Sequence, residues 1–180
     1  STTMRIEADS VLHHPRPRVF AAYRDDIRAF IGYLPNVREI EVLERRDEGS
    51  VVRLHNVWRG GIELPEKLSD ALETSFFSWD DRAVWDEQVW TCEWVIEPHA
   101  WKGAVTCEGK SEFVALGDDR TRLQMTGDLS IDLDRVRAVP SFLAGSLGRT
   151  AEAFLVRQIT ANLAATSEAR MTASDAARAL

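Results

Sequence analysis

From position 123 to 133 every odd residue is apolar or glycine: Leu123, Met125, Gly127, Leu129, Ile131 and Leu133. The even positions, Arg122, Gln124, Thr126, Asp128, Ser130 and Asp132, are all polar. Period-two alternation this clean specifies a strand with one dry face and one wet face, the form taken by antiparallel sheets. A dry sheet face must be covered by another layer. That requirement organises the reading of the rest of the chain.

The cover is expected from the C-terminal stretch between Ser141 and Glu168. Leu143, Leu147, Ala151, Phe154, Leu155, Ile159 and Leu163 recur at three- and four-residue steps, the spacing of one helix face. Gln158 and Asn162 fall within that apolar stripe by helical angle, whereas Arg149, Val156 and Arg157 point away. No other element is long enough to close over a large sheet.

The remaining elements follow in order. Met4 to His13 alternates as a first strand, ended by Pro15 and Pro17, and proline suits the first turn of the helix that follows. Val19, Phe20, Tyr23, Ile27, Phe30, Ile31 and Leu34 continue at helical spacing, with Asp25-Asp26 splitting them into two short helices. Val37–Arg46 and Val51–Trp58 flank Asp47-Glu48-Gly49-Ser50 and read as a hairpin. A loop at Glu48-Gly49 would set Glu44 opposite Arg53 and Val42 opposite His55. Both hairpin faces are mixed, so the inward one is left open. Leu72 to Trp79 reads as strand four with Asp80-Asp81 as its turn, and Arg82 to Glu97 as one long, bulged strand. Val105 to Ala115 alternates as strand six, and Gly117-Asp118-Asp119 turns the chain into the last strand.

Composition narrows the function. A net charge of −7 and scattered arginines give no basic face for nucleic acid. The first residues lead directly into an alternating strand, so no signal peptide or membrane span is expected, and the expected location is the cytoplasm. Two cysteines, Cys92 and Cys107, do not make a disulfide framework. They would face each other if the turn after Pro98 centred near His99-Ala100, as buried thiols or as a redox pair. His13-His14, His55 and His99 show no metal-ligand spacing with them, so neither a metal nor a cofactor is expected. Glu108, Lys110 and Glu112 read as a solvated stripe, and Asp86-Glu87 can send at most one carboxylate inward. No nucleophile elbow or phosphate loop is present. The six tryptophans, all between Trp58 and Trp101, form either a large aromatic core or the wall of a pocket.

The order is strand, two short helices, six strands, long helix. With it go Pro15 to Phe20 entering the first helix, Trp94-Val95-Ile96-Glu97-Pro98, Gly127-Asp128-Leu129, and Gly148-Arg149-Thr150-Ala151-Glu152 entering the long helix. In these features the chain resembles the START-like (SRPBCC) superfamily, in particular its polyketide cyclase/dehydrase-like bacterial members of uncharacterised function. The resemblance implies an α+β helix-grip fold: a seven-stranded curved antiparallel sheet wrapped around a long C-terminal helix, with two short helices between strands one and two. One domain over 1–180 is expected, its core about 4–168 and its tail 169–180. The resemblance also implies a cavity between sheet and helix that holds an apolar small molecule.

Three functions are compatible with this reading. The first is binding of a lipid, quinone or aromatic polyketide-like ligand. Trp85, Trp94, Phe113, Met125 and Phe154 would line the cavity, and Gln158 and Asn162 would supply polar contacts. Arg53 and His55 would join them if their hairpin face is inward. The second is a cyclase/aromatase-type enzyme using Arg53 or His55 for proton transfer. The third is a non-catalytic homodimeric module, which outward-facing Trp79, Trp90 and Trp101 would favour.

Overall fold

The computed structural model describes residues 2–33, 37–60, 78–100 and 102–132. The expected long helix, with Phe154, Gln158 and Asn162, lies outside the described residues, as do most of the stretch read as strand four and Trp101.

Seven strands form one antiparallel sheet: β1 (Thr2–Leu12), β2 (Val37–Glu48), β3 (Val51–Gly60), β4 (Ser78–Asp86), β5 (Thr91–Pro98), β6 (Val105–Ala115) and β7 (Thr121–Ile131). Their spatial order is β1-β7-β6-β5-β4-β3-β2, so each strand after β2 lies beside its predecessor and β1 returns beside β7. β6 and β7 occupy the alternating runs read from the sequence.

Between β1 and β2 stand helix α1 (Arg16–Asp25) and a 3-10 helix (Ile27–Tyr33). α1 starts at Pro15, whose carbonyl accepts from the Val19 N–H at 3.0 Å. Proline costs nothing there, because a first-turn N–H has no intrahelical partner. The helix stops at Asp26, whose N–H closes on the Ala22 carbonyl. It buries Val19, Phe20 and Tyr23 against the sheet.

Those contacts define an inner face. Phe20 meets Trp85, Trp90 and Phe113 edge-on, with centroids 5.3, 5.3 and 5.2 Å away. Tyr23 meets Phe113 in the same manner at 5.7 Å. Each such pair adds roughly 0.5–1.5 kcal/mol beyond area burial. A second, separate cluster joins Ile27, Val37, Ile40 and Trp58, with Ile31 and Trp79 against it. There Trp58 and Trp79 stack at 5.9 Å and 19°.

Two strand readings need correction. Asp80 and Asp81 lie inside β4 and make no turn. The stretch from Arg82 to Glu97 is two strands, broken at Glu87–Trp90. The break has no glycine or proline. Asp86 Oδ1 accepts from the Gln88 N–H at 3.0 Å, and Trp90 adopts φ +57°, a conformation that costs an aromatic residue free energy. Long-range contacts hold it: the Trp90 ring lies on Phe20 and under the Arg16 guanidinium at 4.6 Å, and its carbonyl accepts from the Phe113 N–H.

The hairpin register also differs from expectation. The loop is Gly49-Ser50, with Gly49 at φ +69°, and an irregularity sits between Val42 and Glu44. Glu44 is therefore opposite His55 and Val42 opposite Asn56, while Arg53 is opposite Arg46.

Candidate functional site

In a pleated strand, residues two apart share a face. The pairing therefore gives rows of inward side chains running across the sheet. One row is Val52, Trp85, Cys92, Ser111, Met125 and Ala8. The next is Leu54, Ala83, Trp94, Gly109, Gly127 and Ile6. A third is Asn56, Asp81, Ile96, Cys107, Leu129 and Met4.

The middle row sets the shape of the face. Gly109 and Gly127 face each other on β6 and β7, and with Ala83 they leave the sheet centre almost without side chains. The Trp94 indole occupies that space. A Cβ on Gly127 would lie 2.7 Å from Trp94 Cη2, and one on Gly109 would lie 2.7 Å from Trp94 Cζ2. The ring is anchored from the next row, where Trp94 Nε1–H donates to Ser111 Oγ at 3.1 Å. Both residues are buried, so the bond is shielded from water. Met125 stands across from Ser111 on β7, also buried.

The third row carries the polar groups of the face. Asn56 is 5% exposed and its Oδ1 is buried with no hydrogen-bond partner among the described residues. Its cross-strand neighbour Asp81 accepts through Oδ2 from Trp58 Nε1–H at 3.2 Å.

The structure therefore sorts the expected site residues. Trp85, Trp94, Phe113 and Met125 share the inner face, with Trp85 and Phe113 engaged by Phe20. Arg53 and His55 do not join them. Leu54 and Asn56 face inward, so their β3 neighbours must face the opposite side. There Arg53 pairs with Glu48 at 3.2 Å, and both Arg53 and His55 line an open, charged groove of about 690 Å³ with Glu44, Arg46 and Arg82. Trp79 and Trp90, whose outward orientation would have favoured the dimeric module, instead stack on Trp58 and pack on Phe20, and Trp101 lies outside the described residues.

Sequence reasoning passed over Asn56, Asp81 and the glycine pair. A signal was present. The even positions of β3 read Val52, Leu54, Asn56, Trp58, more apolar than Arg53, His55, Val57, Arg59 on the odd side.

His55 belongs to a network on the opposite face. His55 Nε2 meets Asp80 Oδ1 at 2.8 Å, His99 Nε2 meets Asp80 Oδ2 at 3.3 Å, and Ser78 Oγ meets His99 Nδ1 at 2.7 Å. Each Nε2–H donates to the carboxylate, and the Ser78 hydroxyl, which can donate or accept, completes the shell of His99 Nδ1. Burial alone pushes the Asp80 carboxyl up. The hydrogen bonds from His55 and His99, with the charges of His99 and Arg82, outweigh it and hold Asp80 below the usual carboxylate range.

The cysteines are not opposite each other. Cys92 pairs with Ser111 and Cys107 with Ile96, so they stand four residues apart in register, about 13 Å along the strands at the usual strand rise. Burial pushes the Cys107 thiol up to about 12, with Asp128 and Glu108 adding to the effect. A thiol in that state is inert. Among the described residues no group of His, Cys, Asp and Glu converges as a metal site, and no helix is long and apolar enough to cross a membrane.

No family sequence model matches the chain, and no curated protein matches it by sequence. Solved structures do match in fold. The Zhui aromatase/cyclase from Streptomyces sp. R1128 aligns with TM-score 0.68 at 15% identity, over 97% of this chain and 94% of that one. TTHA0849 from Thermus thermophilus aligns with TM-score 0.64 at 18% identity, over 97% and 99%. Ara h 8.0201 aligns with TM-score 0.53 at 12% identity, over 96% and 99%. The chain shares the α+β fold of these proteins, with its seven-stranded antiparallel sheet and two short helices.

Proposed function

We propose that the chain binds an apolar, flat small molecule of the lipid, quinone or aromatic polyketide class on the inner face of its sheet. The observation that carries this reading is Trp94. Its indole is laid over Gly109 and Gly127 and tied by Ser111, which presents a broad aromatic surface at the sheet centre. Sites for such ligands are mostly apolar with a few placed polar groups, the composition of these three rows. Trp94 and Met125 form the floor, with Trp85 and Phe113 behind them. Phe154, Gln158 and Asn162 are the proposed contribution of the C-terminal segment.

Native mass spectrometry of the full chain with a panel of fatty acids, quinones and polycyclic phenols tests it. A one-to-one adduct with one class is expected, and its affinity should fall at least about tenfold in Trp94→Leu, given the interaction area of an indole. No adduct with any class, or equal affinity in Trp94→Leu, would overturn the reading.

A second reading, a cyclase/aromatase-type enzyme, has one observation in its favour: the inner face carries a carboxylate, Asp81, beside Asn56. Asp81 then takes the proton-transfer role that Arg53 and His55, on the opposite face, cannot fill. Turnover of a bound polyketone by the wild type, lost about 100-fold in Asp81→Asn, would favour this reading over simple carriage.

A further inference from the structure

We propose that Asn56 is the polar pole of the inner-face site and selects ligands that carry a hydroxyl group on an otherwise apolar ring. The inference rests on the binding reading above and adds the chemistry of what is bound.

Asn56 is held between apolar residues on its own strand and beside one carboxylate on the next. Along β3 it stands between the inward Leu54 and Trp58, and across the sheet it lies between Val42 on β2 and Asp81 on β4. It is 95% buried, and its Oδ1 has no donor among the described residues. The ring N–H of its β3 neighbour Trp58 is committed elsewhere, donating to Asp81 Oδ2 at 3.2 Å.

Buried amides without partners are rare in folded proteins, since a polar atom withdrawn from water and left unmade is destabilising. An asparagine at this position is explained by a partner from beyond the described residues, which we take to be the bound ligand. The hydroxyl group fits best. It donates to Oδ1 and accepts from Nδ2–H, so it satisfies the amide in either orientation. A methyl or ether group of the same size offers no donor. Asn56 sits one row and two strands from Trp94, whose indole extends away from it over β6 and β7, so Asn56 marks the β3–β4 side of the inner face and the ring whose hydroxyl it takes lies on that side.

Two probes of nearly equal shape separate the possibilities: 2-naphthol and 2-methylnaphthalene. Their dissociation constants are measured by calorimetry on the full chain, wild type and Asn56→Leu, with circular dichroism as the check on folding. In the wild type, 2-naphthol is expected to bind at least about tenfold tighter, because a site built around a hydrogen bond discriminates strongly against the analogue that lacks it. In Asn56→Leu the ratio should fall at least about tenfold through weaker 2-naphthol binding, with 2-methylnaphthalene unchanged or tighter.

A second measurement needs no variant. The side-chain amide resonances of Asn56, followed by 15N–1H correlation, should move with 2-naphthol and stay within the small ring-current shift seen with 2-methylnaphthalene. If both probes bind with a ratio that Asn56→Leu leaves unchanged, or both move the Asn56 amide equally, the role of Asn56 is overturned and the binding reading stands. If neither probe binds the wild type, the binding reading falls and the selection by Asn56 falls with it.

Discussion

Trp94 and Gly127 touch across an intervening strand: a methyl group on Gly127 would come within 2.7 Å of Trp94 Cη2 and 2.9 Å of the Glu108 carbonyl oxygen. The tryptophan on β5 and the glycine on β7 therefore form one packing unit, with Gly109 of β6 beneath the ring.

Both glycines are then expected to resist substitution, for different reasons. At Gly109 the added Cβ meets backbone, the Thr126 carbonyl and Gly127 Cα, which cannot move without disturbing the ladder. Gly109→Ala should cost about 2–3 kcal/mol or more, the range of overpacked cores. At Gly127 the closest atom belongs to the Trp94 ring. Gly127→Ala should cost about 1–3 kcal/mol alone and less in a Trp94→Leu background. Urea unfolding of the single and double variants measures the coupling, and a coupling of zero contradicts the contact.

Ser111 holds the indole nitrogen. Ser111→Ala removes the acceptor and leaves a buried N–H, which should cost about 1–2 kcal/mol. Ser111→Thr keeps the hydroxyl and should recover most of that loss if the extra methyl is accommodated. Chemical denaturation of both variants checks the sign and the recovery.

Asp80 sets a pH dependence. Its carboxyl is held below the usual range in the folded state despite the opposing effect of burial, so the folded chain binds its proton less readily than the unfolded chain does. The contribution is fully present above the unfolded pKa of about 4 and is lost as pH falls through the lower folded value. Asp80→Asn removes one carboxylate from the acid limb. Its stability curve should be flatter below about pH 4, by up to about one proton in slope. Equilibrium unfolding between pH 2 and 7 reads this directly; identical slopes would contradict the His55–Asp80–His99 arrangement.

Cys107 should be silent toward thiol reagents in the folded chain. Burial pushes its thiol up to about 12, so thiolate is scarce at pH 8 and access is closed. Iodoacetamide labelling read by mass spectrometry should mark Cys107 only under denaturing conditions. Mild oxidants should not join it to Cys92, given the register that separates them.

How much of this was legible in the chain differs element by element. The alternation over 121–131 and 105–115 names two strands, and in β7 it also names their dry side, because a pleated strand exposes its period locally. The split of the helical segment near Asp25-Asp26 was equally visible. The inward side of β3 was not, since Arg53, His55, Asn56 and Trp58 mix polar and apolar groups on neighbouring positions. Only the pairing of Leu54 with Ala83, under the same layer as Phe20, makes that side the dry one and sends Arg53 and His55 to the other.

The break between β4 and β5 likewise has no local mark. Glu87-Gln88-Val89-Trp90 carries none of the residues that favour turns, and Trp90 reaches φ +57° because Phe20, Arg16 and the Phe113 N–H hold it there. The chain alone determined the two short helices and the strands β1, β2, β3, β6 and β7, because those depend on the spacing of apolar residues within one segment. The tertiary structure alone decided which side of a mixed strand is buried, where an unmarked turn falls, and that Trp94 lies on two glycines. Each of these is settled by contacts between residues far apart in sequence, whose free energy no single segment contains.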